Sequence, residues 1–401
     1  MIIIITGIIT EYNPFHKGHK YHLENAKIDT EADSVVCVMS GNFMQRGIPA
    51  LIDKWKRTEM ALKNGVDLIL ELPLVYSMSS AETFAFGSVS LLNSLGVIDY
   101  LYFGSEEGNI DSITKISDTL VCEPKEYRTI LKKYLNQGLP FHLSRANALE
   151  DYLKSDNIKE ILSNSNNILG IEYIKALKSL DSNIMAKTLK RKGSSYNDKN
   201  LDSLFSSATS IRNSLRNNSI ESIKDALTTA SYEIIHDLSC SNYRFVFEED
   251  MFKYIKYKLL TNGNTLSNLP DISEGLDNKI LKELLNSNSL EELILNSKSK
   301  RYTYTRINRI LAQSFLNLEN YDLLKLSKEI APYARVLGFN SKGRNILKNI
   351  KENSNVNIIT KVPRNTLCDH LRIDILGTKA YSILNPSINP MDDYLKSPII
   401  I

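Results

Sequence analysis

Two histidines three residues apart, His16 and His19, stand on either side of Lys17-Gly18 near the start of the chain. At that spacing two side chains share one face of a helix. Each imidazole can donate through a ring nitrogen or carry charge. Gly18 removes a side chain where a ligand would approach the backbone. Much further on, Ser206, Ser207 and Thr209 precede an apolar-periodic segment that contains Arg212. Such residues commonly cap helices, and a hydroxyl-rich helix start followed by an arginine can also hold phosphate oxygens. Arg46, Arg191, Lys192 and Arg212 could neutralise phosphates. The chemistry this set suits is attack on the α-phosphorus of ATP with release of pyrophosphate. That reaction asks for positioning and for donors on developing negative oxygens, not for covalent help. The sequence has no G-x-x-x-x-G-K-[ST] loop, and no G-x-G-x-x-G follows the first apolar run. These absences exclude a P-loop enzyme and argue against a dinucleotide oxidoreductase.

The elements that must position these groups follow a regular order. Ile2–Thr10 is apolar and β-branched, Asn13-Pro14 marks a turn, and His16 opens a helix. A strand that feeds a helix N-terminus through a turn makes an anion site, because the first helical N–H groups lack backbone partners and the dipole favours negative charge. Short apolar runs at Ser34–Gly41, Val66–Leu74 and Asp99–Glu106 then alternate with helical patterns at Ile52–Gly65 and Ala81–Gly96. This alternation predicts an α/β fold with a Rossmann-like parallel sheet. Gly41, Asn42, Gln45 and Arg46 fall at the exit of the second strand, the edge where open α/β sheets bind ligands. Asn183–Tyr196 begins as a strand and ends in a basic loop. From about residue 218 helical periodicity dominates, with weak strand signals only near Ile358–Ile359 and Leu371–Leu376. We expect a nucleotidyltransferase-like ATP-binding domain over 1–218 and a mainly helical, basic domain over 219–401.

Net charge is +3 over 401 residues, unevenly spread: residues 291–401 carry 17 Lys and Arg against 10 Asp and Glu. The stretch KSKRYTYTRINRIL (Lys298–Leu311) holds Lys298, Lys300, Arg301, Arg306 and Arg309 with no acid, interleaved with Tyr302 and Tyr304. Cations can meet phosphates and aromatic faces can stack on bases, so this is a candidate RNA contact. The competing reading is a charged helix start with tyrosines turned to the core. Cys37, Cys122, Cys240 and Cys368 are scattered without metal-ligand spacing, so no metal site is predicted. No apolar run reaches the ~20 residues of a membrane span. The N-terminal run lacks a basic flank and a cleavage site, which predicts a cytoplasmic protein.

Together, EYNPFHKGH (Glu11–His19), SGNFMQRGIPA (Ser40–Ala50), FGSE (Phe103–Glu106), NNILGIEY (Asn166–Tyr173), SSATSIR (Ser206–Arg212) and KRYTYTR (Lys300–Arg306) resemble the tRNA(Met) cytidine acetate ligases of the H-x-G-H nucleotidyltransferase superfamily. The match runs over nearly the whole chain in the right order. It implies activation of acetate by ATP to acetyl-adenylate. Transfer to the exocyclic amine of the wobble cytidine of elongator tRNA(Met) follows. By motif it carries ATP contacts onto Ile9, Thr10, Glu11, Tyr12, Asn13, Pro14, Phe15, His16, Lys17, Gly18, His19, Lys20, Tyr21 and His22, then Gly104, Asn167 (with Asn166 beside it) and Arg191. His16 and His19 would serve the phosphates and the departing pyrophosphate. Mg²⁺ is expected with the nucleotide, as polyphosphate chemistry usually uses it. Departures from the pattern are Lys17, where a small polar residue is usual, and Lys192, where an apolar one is frequent. The alternatives are an adenylyltransferase acting on a small phosphate ester and a non-catalytic RNA-binding protein that keeps a nucleotide site.

Overall fold

The protein is seen in a computed structural model that describes residues 3–191, 206–365 and 368–401. Its centre is one eight-stranded sheet. The strands are β1 (Ile5–Thr10), β2 (Ser34–Ser40), β3 (Leu68–Leu72), β4 (Tyr100–Ser105), β5 (Met185–Lys190), β6 (Tyr333–Phe339), β7 (Asn357–Ile359) and β8 (Ile399–Ile400). They run in the order β5-β4-β1-β2-β3-β6-β7, with β8 also on β6. Every pairing is parallel except β3 with β6. The expected α/β architecture is therefore present. β2 shows why its sequence reads as an unbroken apolar run: every residue of SVVCVMS is buried, as in a strand covered on both faces.

Helices cover both faces of the sheet. One apolar cluster joins Val36, Val38 and Leu101 to Val89, Leu92, Ile171 and Ile174, from the helices Ala81–Ser94 and Ser165–Ser179. A second joins Ile8, Cys37 and Ile69 to Leu23, Met60 and Ile235 on the other side. A third lies in the later helical part around Ile307, Phe315 and Tyr381, and takes in Phe43 and Met44 from the loop after β2.

Two local readings differ from the sequence expectation. Leu371–Leu376 belongs to the helix Asp369–Leu384, whose residues Leu371, Ile373 and Ile375 are all buried. A helix enclosed on several sides loses its polar stripe and mimics a strand. YARVLGF, by contrast, forms β6 and joins the sheet antiparallel to β3. The sheet thus draws strands from both sides of residue 218.

A buried charge cluster fixes this join. Lys54 Nζ lies 2.6 Å from Glu71 Oε1 and 2.8 Å from Asp393 Oδ1, while Arg335 contacts Glu71 Oε2 at 3.1 Å and Asp393 Oδ1 at 2.7 Å. All four side chains are buried. Two cations and two carboxylates balance, which makes burial tolerable. The cluster ties β3, β6 and the C-terminal segment to the helix Lys54–Lys63.

Candidate active site

The end of β1 sets the geometry. Tyr12 has φ 46° and the Asn13–Pro14 peptide is cis. Asn13 Oδ1 accepts from Leu51 N at 2.8 Å, and Asn13 O accepts from Arg212 Nη1 at 2.9 Å. Beneath the turn lies Arg57, with no exposed surface. Its Nη1 donates to Glu11 O at 2.6 Å and to Ser40 O at 3.0 Å, its Nε to Ile52 O at 3.1 Å, and its Nη2 to Gly41 O. One guanidinium thus holds the C-terminal ends of β1 and β2 together. Sequence reasoning missed Arg57. Its only signal was a position three and four residues before Met60 and Ala61, on the apolar face of its helix.

His16 caps the helix Lys17–Asp29: its Nδ1 accepts from Gly18 N at 3.0 Å. His19 Nδ1 in turn accepts from His16 N at 3.3 Å. Both Nδ1 atoms act as acceptors, so each neutral ring carries its proton on Nε2. The two rings stack with centroids 3.7 Å apart. Burial, then Arg191 and Arg212, lowers His16 to about 3. Burial, then His16, His22 and Arg191, holds His19 well below its ordinary value. Burial and Arg191 bring His22 to about 4. Near neutral pH the three imidazoles are therefore uncharged donors. His22 Nε2 and Thr10 Oγ1 are buried with no hydrogen-bond partner, which marks a place for ligand acceptors.

A cavity of about 490 Å³ opens above the ends of β1 and β4. Ile9, Thr10, Glu11, Tyr12, His16, Gly18, His19, Tyr21 and His22 line it, with Gly104, Arg191 and Ser207. At Gly104 a Cβ would meet the Arg191 side chain at 3.4 Å and the His22 ring at 3.7 Å, so this backbone position faces both. Other candidates sit elsewhere. Phe15 is core, Asn13 and Pro14 are buried under the turn, and Lys17 is exposed. Lys20 Nζ donates to Asn64 O at 2.8 Å. Asn167 uses its side chain on Glu107 N and Ile161 O, whereas Asn166 lines the cavity and donates to Glu106 Oε1 at 2.6 Å. Thr209 accepts from Arg212 Nη2 at 3.2 Å. Lys192 lies outside the described residues. Among the described residues no group of three or more His, Cys, Asp or Glu could hold a metal ion.

The model of the HIGH Nucleotidyl Transferase family matches residues 3–394. A tRNA(Met) cytidine acetate ligase of Clostridium novyi is 54% identical over 99% of both chains. One of Clostridium acetobutylicum is 50% identical over 99% of this chain and all of the other. The crystal structure of Thermotoga maritima TmcAL bound with alpha-thio ATP is 33% identical and covers both chains fully at a TM-score of 0.90. The chain belongs to the tRNA(Met) cytidine acetate ligase family. In this ligase the loop Gly41–Ala50 joins the cavity to the later helices. Glu11 Oε1 accepts from Gln45 N at 2.8 Å. Gly47 has φ 77°, and a Cβ there would lie 2.6 Å from Arg309 N. Only glycine satisfies both conditions. The motif SGNFMQRG is therefore a seat for the helix Tyr304–Phe315.

The basic stretch divides on that seat. Lys298, Lys300, Arg301 and Tyr304 are exposed. Tyr302 is 8% exposed and its hydroxyl donates to Ser273 O at 2.7 Å, so its ring belongs to the core. Arg306 donates to Asp271 O at 2.8 Å. Arg309 lines the cavity.

The uncharged histidines carry a pH consequence. Unfolded histidines titrate near 6.5, whereas His16 and His22 stay neutral to about 3 and about 4. Between these values the unfolded chain binds more protons, so stability rises with pH. We expect the ligand-free protein to keep its full stability above about pH 6.5 and to lose it steadily toward pH 4. Thermal melts across pH 4.5–7.5 check this, and a flat profile would contradict it. ATP should flatten the slope, since phosphates favour the protonated rings.

Proposed function

We propose that this protein activates acetate with ATP and transfers the acetyl group to the exocyclic amine of the wobble cytidine of elongator tRNA(Met), in the cytoplasm. The observation that carries the reading is the pair of cross-bonded, neutral imidazoles beside Arg191 and Arg212, in a chain of this family. In the first step a carboxylate oxygen bonds to the α-phosphorus and pyrophosphate leaves. The Nε2–H groups of His16 and His19 and the two guanidiniums stabilise the charge that builds on the phosphate oxygens. In the second step the cytidine nitrogen attacks the acetyl carbon, AMP leaves, and the amine loses a proton. An acyl-adenylate hydrolyses readily, so the cavity must also keep water out. Among the described residues Glu11 is the one carboxylate in the cavity lining, so Mg²⁺, if used, would be held mainly by the phosphates of ATP, where it would neutralise charge.

The test is incubation with ATP, labelled acetate and a tRNA pool, followed by digestion. Label should appear as acetylated cytidine in elongator tRNA(Met), and its absence there would overturn the reading. The exposed cations Lys298, Lys300 and Arg301, with Tyr304, form the proposed tRNA surface. Lys298→Ala with Arg301→Ala should weaken tRNA binding about tenfold at low salt and less as salt rises, because fewer counterions are released. Acetate-dependent ATP–pyrophosphate exchange should persist. Equal loss of both activities would sink this division of labour.

A further inference from the structure

Two cations of the cavity lining, Arg46 and Arg309, have no task in the scheme above; Arg46 Nη2 reaches Ser165 Oγ at 3.4 Å. Arg309 is 8% exposed and lines the cavity from the helix Tyr304–Phe315, with Thr305 one turn earlier. Its Nη2 stands 3.6 Å from Asp271 Oδ2, but Asp271 also faces Arg306 at 3.5 Å. One carboxylate between two guanidiniums leaves positive charge uncompensated. Arg309 Nε is buried with no hydrogen-bond partner. A buried N–H in that state gains from an acceptor brought by a ligand. The helix is also held in place at the cavity: Asn308 Nδ2 donates to Arg46 O at 2.9 Å and Gln313 Nε2 to Met78 O at 3.1 Å.

We propose that Arg309 binds the carboxylate of acetate and aims it at the α-phosphorus. The proposal rests on the acetate-activating function stated above. A planar guanidinium matches a carboxylate in shape and charge. The attacking oxygen forms its bond to phosphorus while the bond to the bridging oxygen of pyrophosphate breaks. The electron pair leaves with pyrophosphate and no proton moves. Attack is in line, so the two anions must be held on different sides of the phosphorus. The neutral histidine donors with the cations Arg191 and Arg212 make one anion-binding group, tied to the end of β1. Arg309 belongs to another, tied to the loop after β2. Phe84, Leu169 and Tyr173 in the same lining offer apolar surface for the methyl group.

The experiment is acetate-dependent ATP–pyrophosphate exchange with Arg309→Lys and Arg309→Gln. The KM for acetate should rise roughly 10- to 100-fold, while the Kd of a non-hydrolysable ATP analogue moves less than about threefold. An unchanged acetate KM overturns the proposal. So does ATP affinity that falls in step with it, or lost tRNA affinity with normal exchange. If either variant fails to fold, phenylglyoxal labelling of the unaltered protein tests the same point. Acetate should slow modification of Arg309 and not of the exposed Arg301, and equal rates overturn the assignment. No acetate-dependent exchange in the unaltered protein would instead remove the functional reading itself.

Discussion

His16→Asn is expected to lower acetate-dependent ATP–pyrophosphate exchange roughly 100- to 1,000-fold, the range for loss of one preorganised donor, while the fold survives. The substitution separates two roles of one side chain. His16 Nδ1 accepts from Gly18 N at 3.0 Å and so caps the helix Lys17–Asp29. An asparagine oxygen can take over that bond, since asparagine is among the best N-cap residues. It cannot supply the ring Nε2–H. Exchange assays beside thermal melts check the expectation. A large fall in melting temperature with exchange reduced only in proportion would show that the cap is the whole contribution. Nearly unchanged exchange would remove His16 from the chemistry.

The second large effect is on stability. Arg57→Met should cost about 3–5 kcal/mol, since several buried carbonyls lose a charged donor at about 1–3 kcal/mol each. Methionine fills much of the volume but leaves the carbonyls of Glu11, Ser40, Gly41 and Ile52 without this donor. Those of Glu11, Ser40 and Gly41 lie at the ends of β1 and β2, which carry the H-x-G-H turn and the SGNFMQRG loop. Urea denaturation reads the loss directly. ATP affinity should fall in the same variant, because the turn that presents His16 would relax. A cost under about 1 kcal/mol would mean that the strand ends are held by something else.

Much of the site was legible because it is built locally. The strand Ile5–Thr10, the turn at Asn13-Pro14 and the capped helix follow within 25 residues of sequence, and the cap bonds of His16 and His19 join near neighbours. The same holds for the Ser207 cap, whose Oγ accepts from Ser210 N at 3.1 Å. Gly104 lies near the end of β4 and lines the cavity, a position legible from an apolar run ended by glycine. Asn166 and Asn167 show the limit. Adjacent identical residues point to different sides of a helix start, and only packing against Glu106 and Glu107 separates them.

What the sequence determined by itself is the chemistry at the start of the chain and the alternating pattern that makes an α/β sheet. Both depend on residue types at short spacing. The tertiary structure alone decided what depends on desolvation and distant pairing. It made the histidines neutral, a matter of burial and of Arg191 and Arg212. It turned Tyr302 inward and brought Arg309 to the cavity beside His16 by seating its helix on Gly47. It also inserted β6 beside β3, where Arg335 and Asp393 complete a charge cluster begun by Lys54 and Glu71. A pairing between residues hundreds of positions apart leaves no periodicity in either segment, so no local pattern could have announced it.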